Sequence, residues 1–181
     1  MKISVKKLVT SAIIGALYAA ITMALGFCSY GPIQFRIAEV LCILPFFAPG
    51  TVVGLTIGCA VANLLSSAGV LDIVFGSLAT LMAGLCVAGL GSRYRRARLP
   101  GQGNPAVGWG RCVAVCAMPV VFNVPIVGAV LSYVLFPREE FWQGVLIFGT
   151  QVGLGEAAVM LVLGLPAFRY FLKRPDLEKL L

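Results

Sequence analysis

Histidine is absent from all 181 residues, and only seven residues are acidic. Without histidine, serine or cysteine triads lose their usual proton carrier and zinc loses its commonest nitrogen ligand. Ser66, Ser67 and Ser77 have no lysine or cysteine nearby in sequence to activate them. No CxxC pair occurs among Cys28, Cys42, Cys59, Cys86, Cys112 and Cys116, so these thiols read as apolar packing rather than as a metal or redox centre. No Gly-rich loop ends in Lys-Ser or Lys-Thr, so the chain is no P-loop ATPase by itself. Charge is scarce as well: 12% charged residues cannot cover the surface of a soluble domain.

What fills the chain instead is apolar. Hydrophobic residues make up 60% of it, and the mean hydropathy is +0.98. The apolar runs are continuous for 17 residues or more and do not alternate, which predicts membrane-spanning helices rather than barrel strands. The first run follows Lys6 and Lys7. It lacks a convincing cleavage site leading into a soluble domain, so it reads as a span rather than a signal peptide.

The pattern predicts six helices, near 8–27, 37–48, 51–67, 72–91, 112–136 and 143–171, in one compact all-α membrane domain. The second is short, since twelve residues rise only about 18 Å against a hydrocarbon core of roughly 30 Å. A single span broken at Pro45 and Pro49-Gly50 therefore competes with the second and third helices. Charge separates the two readings. Six helices with the N-terminus inside place twelve of the fourteen basic residues in the cytoplasm: Lys2, Lys6, Lys7, Arg93, Arg95, Arg96, Arg98, Arg111, Arg169, Lys173, Arg174 and Lys179. Only Arg36 and Arg138 stay outside. Five helices would expose the arginine-rich stretch between Ser92 and Arg111 to the exterior, against that bias. The expected topology thus has both termini cytoplasmic and a basic cytoplasmic loop over 92–111. The net charge of +7 then reads as a topology signal with anionic lipid contact, and nucleic-acid binding is not expected. No sequence repeat relates the parts of the chain.

Polar residues gather towards the outer half of this topology. Tyr30 to Glu39, YGPIQFRIAE, sets amide, guanidinium and carboxylate groups between two apolar segments. Asn63, Asp72 and Gln151 lie near outer helix ends, with Asn123 and Glu156 closer to the midplane. Together they would line a cavity open to the exterior. Structural readings stand beside this one: Arg36 and Glu39, at i and i+3, pair at a helix start; Asp72 caps the fourth helix; Asn63 and Asn123 bond between helices. Glu156 has nothing basic within a helical turn, so its partner must come from elsewhere. Ala12, Ala16 and Ala20 share one face of the first helix, with Gly15 and Ala19 beside them; Gly54, Gly58 and Ala62 repeat the motif. Such faces serve internal packing or the docking of a partner.

Six short helices in a chain of this size, the alanines at spacing four, and GPIQFRIAE entering the second helix resemble the substrate-binding S components of energy-coupling factor transporters. Within that group the chain is most similar to the QueT family, assigned to queuosine-precursor uptake. The resemblance implies a subunit of the bacterial cytoplasmic membrane that captures a small solute from outside and is not an enzyme. It implies no cofactor in this chain, with a membrane coupling subunit and two cytoplasmic ATPases as partners and ATP used by the latter. It makes Tyr30 and Gly31 lid residues, gives Gln34, Phe35 and Arg36 to the lid or pocket, and turns the Ala12, Ala16, Ala20 face to the coupling subunit.

For a 7-deazaguanine base, Glu39 or Glu156 would accept from the ring N–H and exocyclic amine. Gln34, Asn63, Asn123 or Gln151 would serve the remaining edge, Tyr30, Phe35 or Trp142 would stack, and Asp72 would meet a cationic aminomethyl group. An S component for another vitamin or heterocycle stays open, as does a self-sufficient proton-coupled carrier titrating at Glu156.

Overall fold

The computed structural model describes residues 5–30, 33–98 and 105–174, and among them every regular element is helical. Four helices are long and apolar enough to cross a membrane: α1 (Val5–Ala24), α4 (Asp72–Ala97), α5 (Trp109–Leu135) and α6 (Arg138–Lys173). Two shorter apolar helices, α2 (Ile37–Phe46) and α3 (Thr51–Leu65), lie between α1 and α4. At 20 residues, α1 rises about 30 Å, the thickness of a hydrocarbon core.

The short α2 departs from the expected α-helix over 37–48, because all ten of its residues wind as a 3₁₀ helix. Pro45 lies inside it and has no N–H to give to a ladder. At about 2.0 Å per residue the segment spans roughly 20 Å, some 5 Å more than the same residues would as an α-helix. Three residues per turn also stack Arg36, Glu39, Cys42 and Pro45 on one face, and all four side chains are buried. The polar row of the site is thus a product of 3₁₀ winding.

Helix α3 runs parallel to α1 at van der Waals distance. Ser11 Oγ donates to the Gly50 carbonyl at 2.8 Å and accepts from the Gly54 N–H at 2.9 Å. One turn on, a Cβ at Gly58 would sit 2.3 Å from the Gly15 carbonyl oxygen, and one at Gly15 would sit 2.3 Å from that of Gly54. Glycine is required on both helices for backbones to approach this closely. A similar contact joins α5 to α6, where Gly128 abuts Gly149.

Helices α4 and α6 each contain a π-helical turn, at Asp72–Gly76 and Met160–Gly164. Their far ends meet at an aromatic cluster in which Phe46 touches Phe47, Tyr94 and Phe168. This end of the bundle is basic. Lys7 and Arg95 line one hollow with Phe47 to Thr51, and the Arg169 guanidinium stacks 3.8 Å from the Trp109 ring centroid.

The expected loop over 92–111 is corrected at both edges: Ser92–Ala97 is helical and α5 begins at Trp109, while 99–104 lie outside the described residues. Arg95 holds the added turn by donating to the carbonyls of Ala88 at 2.8 Å and Phe46 at 2.6 Å, so a cation satisfies the ends of two helices.

Candidate functional site

The site is built where helices depart from α geometry. The 3₁₀ face of α2 brings Arg36 and Glu39 inward, the 3₁₀ turn at Asn63–Leu65 ends α3 with Asn63, the π-turn of α4 starts with Asp72, and Glu156 sits one turn before the π-turn of α6. π-turns of this kind recur at functional sites because the extra residue re-aims a side chain.

Three hydrogen-bonded groups form the cluster. Arg36 Nη2 donates to Asn63 Oδ1, and Asn63 Nδ2 donates to the Asp72 carbonyl at 2.8 Å, joining α2, α3 and α4. Tyr18 Oη on α1 donates to Glu39 Oε1, while Cys42 Sγ donates to Glu39 Oε2 at 3.0 Å. Asn123 Nδ2 on α5 donates to Glu156 Oε1 on α6. Glu156 feels the charges of both Glu39 and Arg36, so the groups form one electrostatic unit. Arg36 is 2% exposed, Glu39 0%, Asp72 1% and Glu156 1%.

Three carboxyl groups and one guanidinium are thus buried in the same cluster. Burying an ionised group costs several kcal/mol unless it is paired and bonded. Bonding is incomplete here: Asp72 Oδ1, Asn123 Oδ1, Gln151 Oε1 and Glu156 Oε2 are buried acceptors without a hydrogen-bond partner, and Arg36 Nε and Nη1 are donors in the same condition. Each such atom costs about 1–3 kcal/mol.

Tyr30 covers one side. Its phenol donates to the Ala62 carbonyl at 2.5 Å, and burial pushes its pKa above the ordinary value against the opposing charge of Arg36. It is neutral at physiological pH and remains a donor.

Comparison with known proteins supplies the family. The model of the QueT transporter family matches residues 8–173. The chain belongs to the QueT transporter family. The four long apolar helices fit a multi-pass cell-membrane protein. The queuosine precursor transporter QueT of Lactococcus lactis subsp. cremoris (strain MG1363) is 46% identical over 77 residues, covering 41% of this chain and 45% of that relative. The match thus spans less than half the relative's length. No solved structure matches the chain significantly.

In this QueT chain the fold gathers Arg36, Glu39, Asn63, Asp72, Asn123 and Glu156 in the buried cluster. Gln34 is buried with its carbonyl packed on Gly155, where a Cβ would lie 2.6 Å away. Gln151, one turn before Gly155 on the same helix, is half-buried. Phe35 is 41% exposed and Trp142 is 76% exposed, so neither ring is enclosed with the polar groups. Gly31 lies outside the described residues. Ala12, Ala16 and Ala20 are exposed on α1, and the first two line a shallow groove with Gly54, Gly58 and Val61.

The structural alternatives resolve unevenly. Arg36 and Glu39 take separate hydrogen-bond partners rather than each other. Asp72 does not cap α4: Leu71 holds the N-cap position, and Asp72 Oδ1 has no hydrogen-bond partner. Asn63 and Asn123 both bond between helices, yet each does so to hold an ionisable member of the cluster.

Tyr18 and Gly76 were not singled out by sequence reasoning. A buried tyrosine needs a partner for its hydroxyl, which was the available signal for Tyr18. Gly76 gave none. A Cβ there would lie 2.5 Å from Asn63 Nδ2 and 2.9 Å from Asp72 Oδ1, so its bareness makes room for both.

Proposed function

We propose that this chain is the substrate-capturing S component of an energy-coupling factor importer, taking a queuosine precursor of the 7-deazaguanine type from outside the cell. The observation that carries the reading is the inventory of buried, unpartnered groups: the acceptors of Asp72, Asn123, Gln151 and Glu156 beside the Nε and Nη1 donors of Arg36. A 7-deazaguanine offers a ring N–H, two amine hydrogens and a pyrrole N–H as donors, with a carbonyl and one pyrimidine nitrogen as acceptors. Donor for acceptor, the two sets correspond. Arg36 takes the carbonyl; Glu156, through Oε2, or Asp72, through Oδ1, accepts from the amidine-like edge. Ring position seven matters too. Guanine places an acceptor nitrogen where the deaza ring has carbon, and an acceptor among acceptors is repelled.

The topology that suits this role crosses the membrane six times, with α2 and α3 as the short pair and both termini in the cytoplasm, as one domain. The gathering of Lys7, Arg95 and Arg169 at one end of the bundle supports that orientation through the positive-inside bias. Opposite that end, Tyr30 and residues 33–36 lie by the site. Energy would come from partner ATPases through a membrane coupling subunit docked on the Ala12, Ala16, Ala20 face, since the chain lacks a phosphate loop of its own.

Calorimetric titration of the purified chain with 7-cyano-7-deazaguanine, 7-aminomethyl-7-deazaguanine and queuine tests the reading, with guanine and riboflavin as controls. Saturable binding of one deazaguanine with guanine much weaker is expected. Binding of riboflavin alone, or of nothing in the series, rejects it.

A further inference from the structure

An apolar groove of about 480 Å³ lies away from the polar cluster, between the first turn of α4 and the second half of α5. Leu71 and Phe75 form one wall, Pro125 and Ala129 the other, and Tyr133 and Phe141 close its upper end. Pro125 to Tyr133 is nine residues of helix, eight rises or about 12 Å, most of the hydrocarbon depth of one leaflet. Both walls belong to membrane-spanning helices, so the medium outside the groove is lipid.

The upper end is not apolar. Tyr133 and Phe141 also line a second hollow of about 240 Å³, whose other residues are Phe136 and Arg138. The Arg138 guanidinium lies 5.7 Å from the Tyr133 ring centroid, and Glu139 and Glu140 follow it in the same exposed turn. Trp142 is exposed beside them, as aromatic residues are at membrane interfaces. An acyl-chain-sized slot thus leads to one cation followed by two carboxylates at headgroup level.

We propose that this groove binds a phospholipid with a primary ammonium headgroup, of the phosphatidylethanolamine type. One acyl chain lies along Phe75, Pro125 and Ala129, the phosphate meets Arg138, and the ammonium meets Glu139 or Glu140. The order of charges favours this headgroup. A phosphatidylglycerol would place its net negative charge against two carboxylates, and a choline headgroup has no N–H to donate. Leu71 and Phe75 bracket Asp72 in the chain, so a bound lipid buttresses the outer side of the π-turn that carries Asp72.

The test uses the delipidated, full chain in detergent, with phosphatidylethanolamine, phosphatidylglycerol or phosphatidylcholine added, followed by native mass spectrometry and thermal unfolding. Phosphatidylethanolamine should be retained as a one-to-one adduct and raise the melting temperature by several degrees, with the other two lipids lost at lower collision energy. Ala129→Phe, which fills the slot, and Arg138→Gln, which removes the surface cation, should each lose the adduct and the shift. Arg138→Gln should melt like the parent protein without lipid, which separates lost binding from misfolding. Equal retention of phosphatidylglycerol, or adducts unchanged in both variants, overturns the proposal. So does a lipid-free dimer that Ala129→Phe converts to monomer, because the groove then belongs to a second copy.

Discussion

Tyr18 on α1 donates its phenolic hydrogen to Oε1 of Glu39 on the 3₁₀ helix α2, and neither side chain reaches solvent. The helix that presents Ala12, Ala16 and Ala20 outward therefore also holds a carboxylate of the buried cluster from within.

Tyr18→Phe keeps the ring and removes that donor. Glu39 then has only the weak thiol donor of Cys42. A buried acceptor left short costs about 1–3 kcal/mol, so the variant should melt several degrees below the parent in detergent and bind the precursor about tenfold more weakly. Unchanged melting and unchanged affinity together would show that the contact contributes nothing.

The carboxylates divide by their partners. Glu39 has both oxygens occupied, whereas Glu156 keeps Oε2 open. Glu156→Gln should therefore lose more precursor affinity, about tenfold to a hundredfold at the roughly 1.5–3 kcal/mol of a charged hydrogen bond, with little loss of stability. Glu39→Gln should lose stability first, since its new amide N–H would face one of the two donors, Tyr18 or Cys42. Titration calorimetry and melting on both variants decide; if both bind with parental affinity, the carboxylate-edge reading fails.

Gly76→Ala tests space rather than chemistry. The added methyl meets Asn63 Nδ2 and Asp72 Oδ1 inside contact distance, while the helical backbone tolerates alanine. Precursor affinity should fall by at least tenfold. By contrast Gly50→Ala, with nothing within 4 Å of its Cβ, should leave melting and binding as they are. Equal behaviour of the two variants would mean that the packing about Asn63 is loose.

The sequence showed the class and the polar residues better than it showed how they are aimed. Apolar runs without alternation identify membrane helices because the bilayer demands satisfied backbone in every span. The stretch from Tyr30 to Glu39 stood out because charge between apolar segments is rare. The 3₁₀ winding of Ile37–Phe46 was not legible, since the choice between i+3 and i+4 bonding in an apolar segment is set by neighbours and by the distance it must bridge. The π-turns were equally silent: nothing in Asp72 to Gly76 announces an inserted residue, and the turn matters only through Asn63, nine residues back. Tyr18 meets Glu39 across 21 residues, a pairing visible only after the bundle is assembled. The helical content of Ser92–Ala97 depends on Arg95 reaching the carbonyl of Phe46, which local composition cannot foresee.

The exposed side of α1 separates capture from delivery. Ala16 lines a groove of about 360 Å³ with Ala12, Gly54 and Val61, and its side chain points away from the helix face that carries Tyr18. A tryptophan there adds bulk to the outer surface without entering the polar cluster. If a coupling subunit packs on this face through close backbone approach, Ala16→Trp should leave precursor binding by the purified chain within twofold of the parent. It should nonetheless abolish precursor uptake by cells that also express the coupling subunit and ATPases. Copurification of the coupling subunit with tagged Ala16→Trp chain should fall in parallel. Full uptake by the variant would move the docking surface off α1, and loss of binding together with uptake would mean that the groove between α1 and α3 supports the site itself.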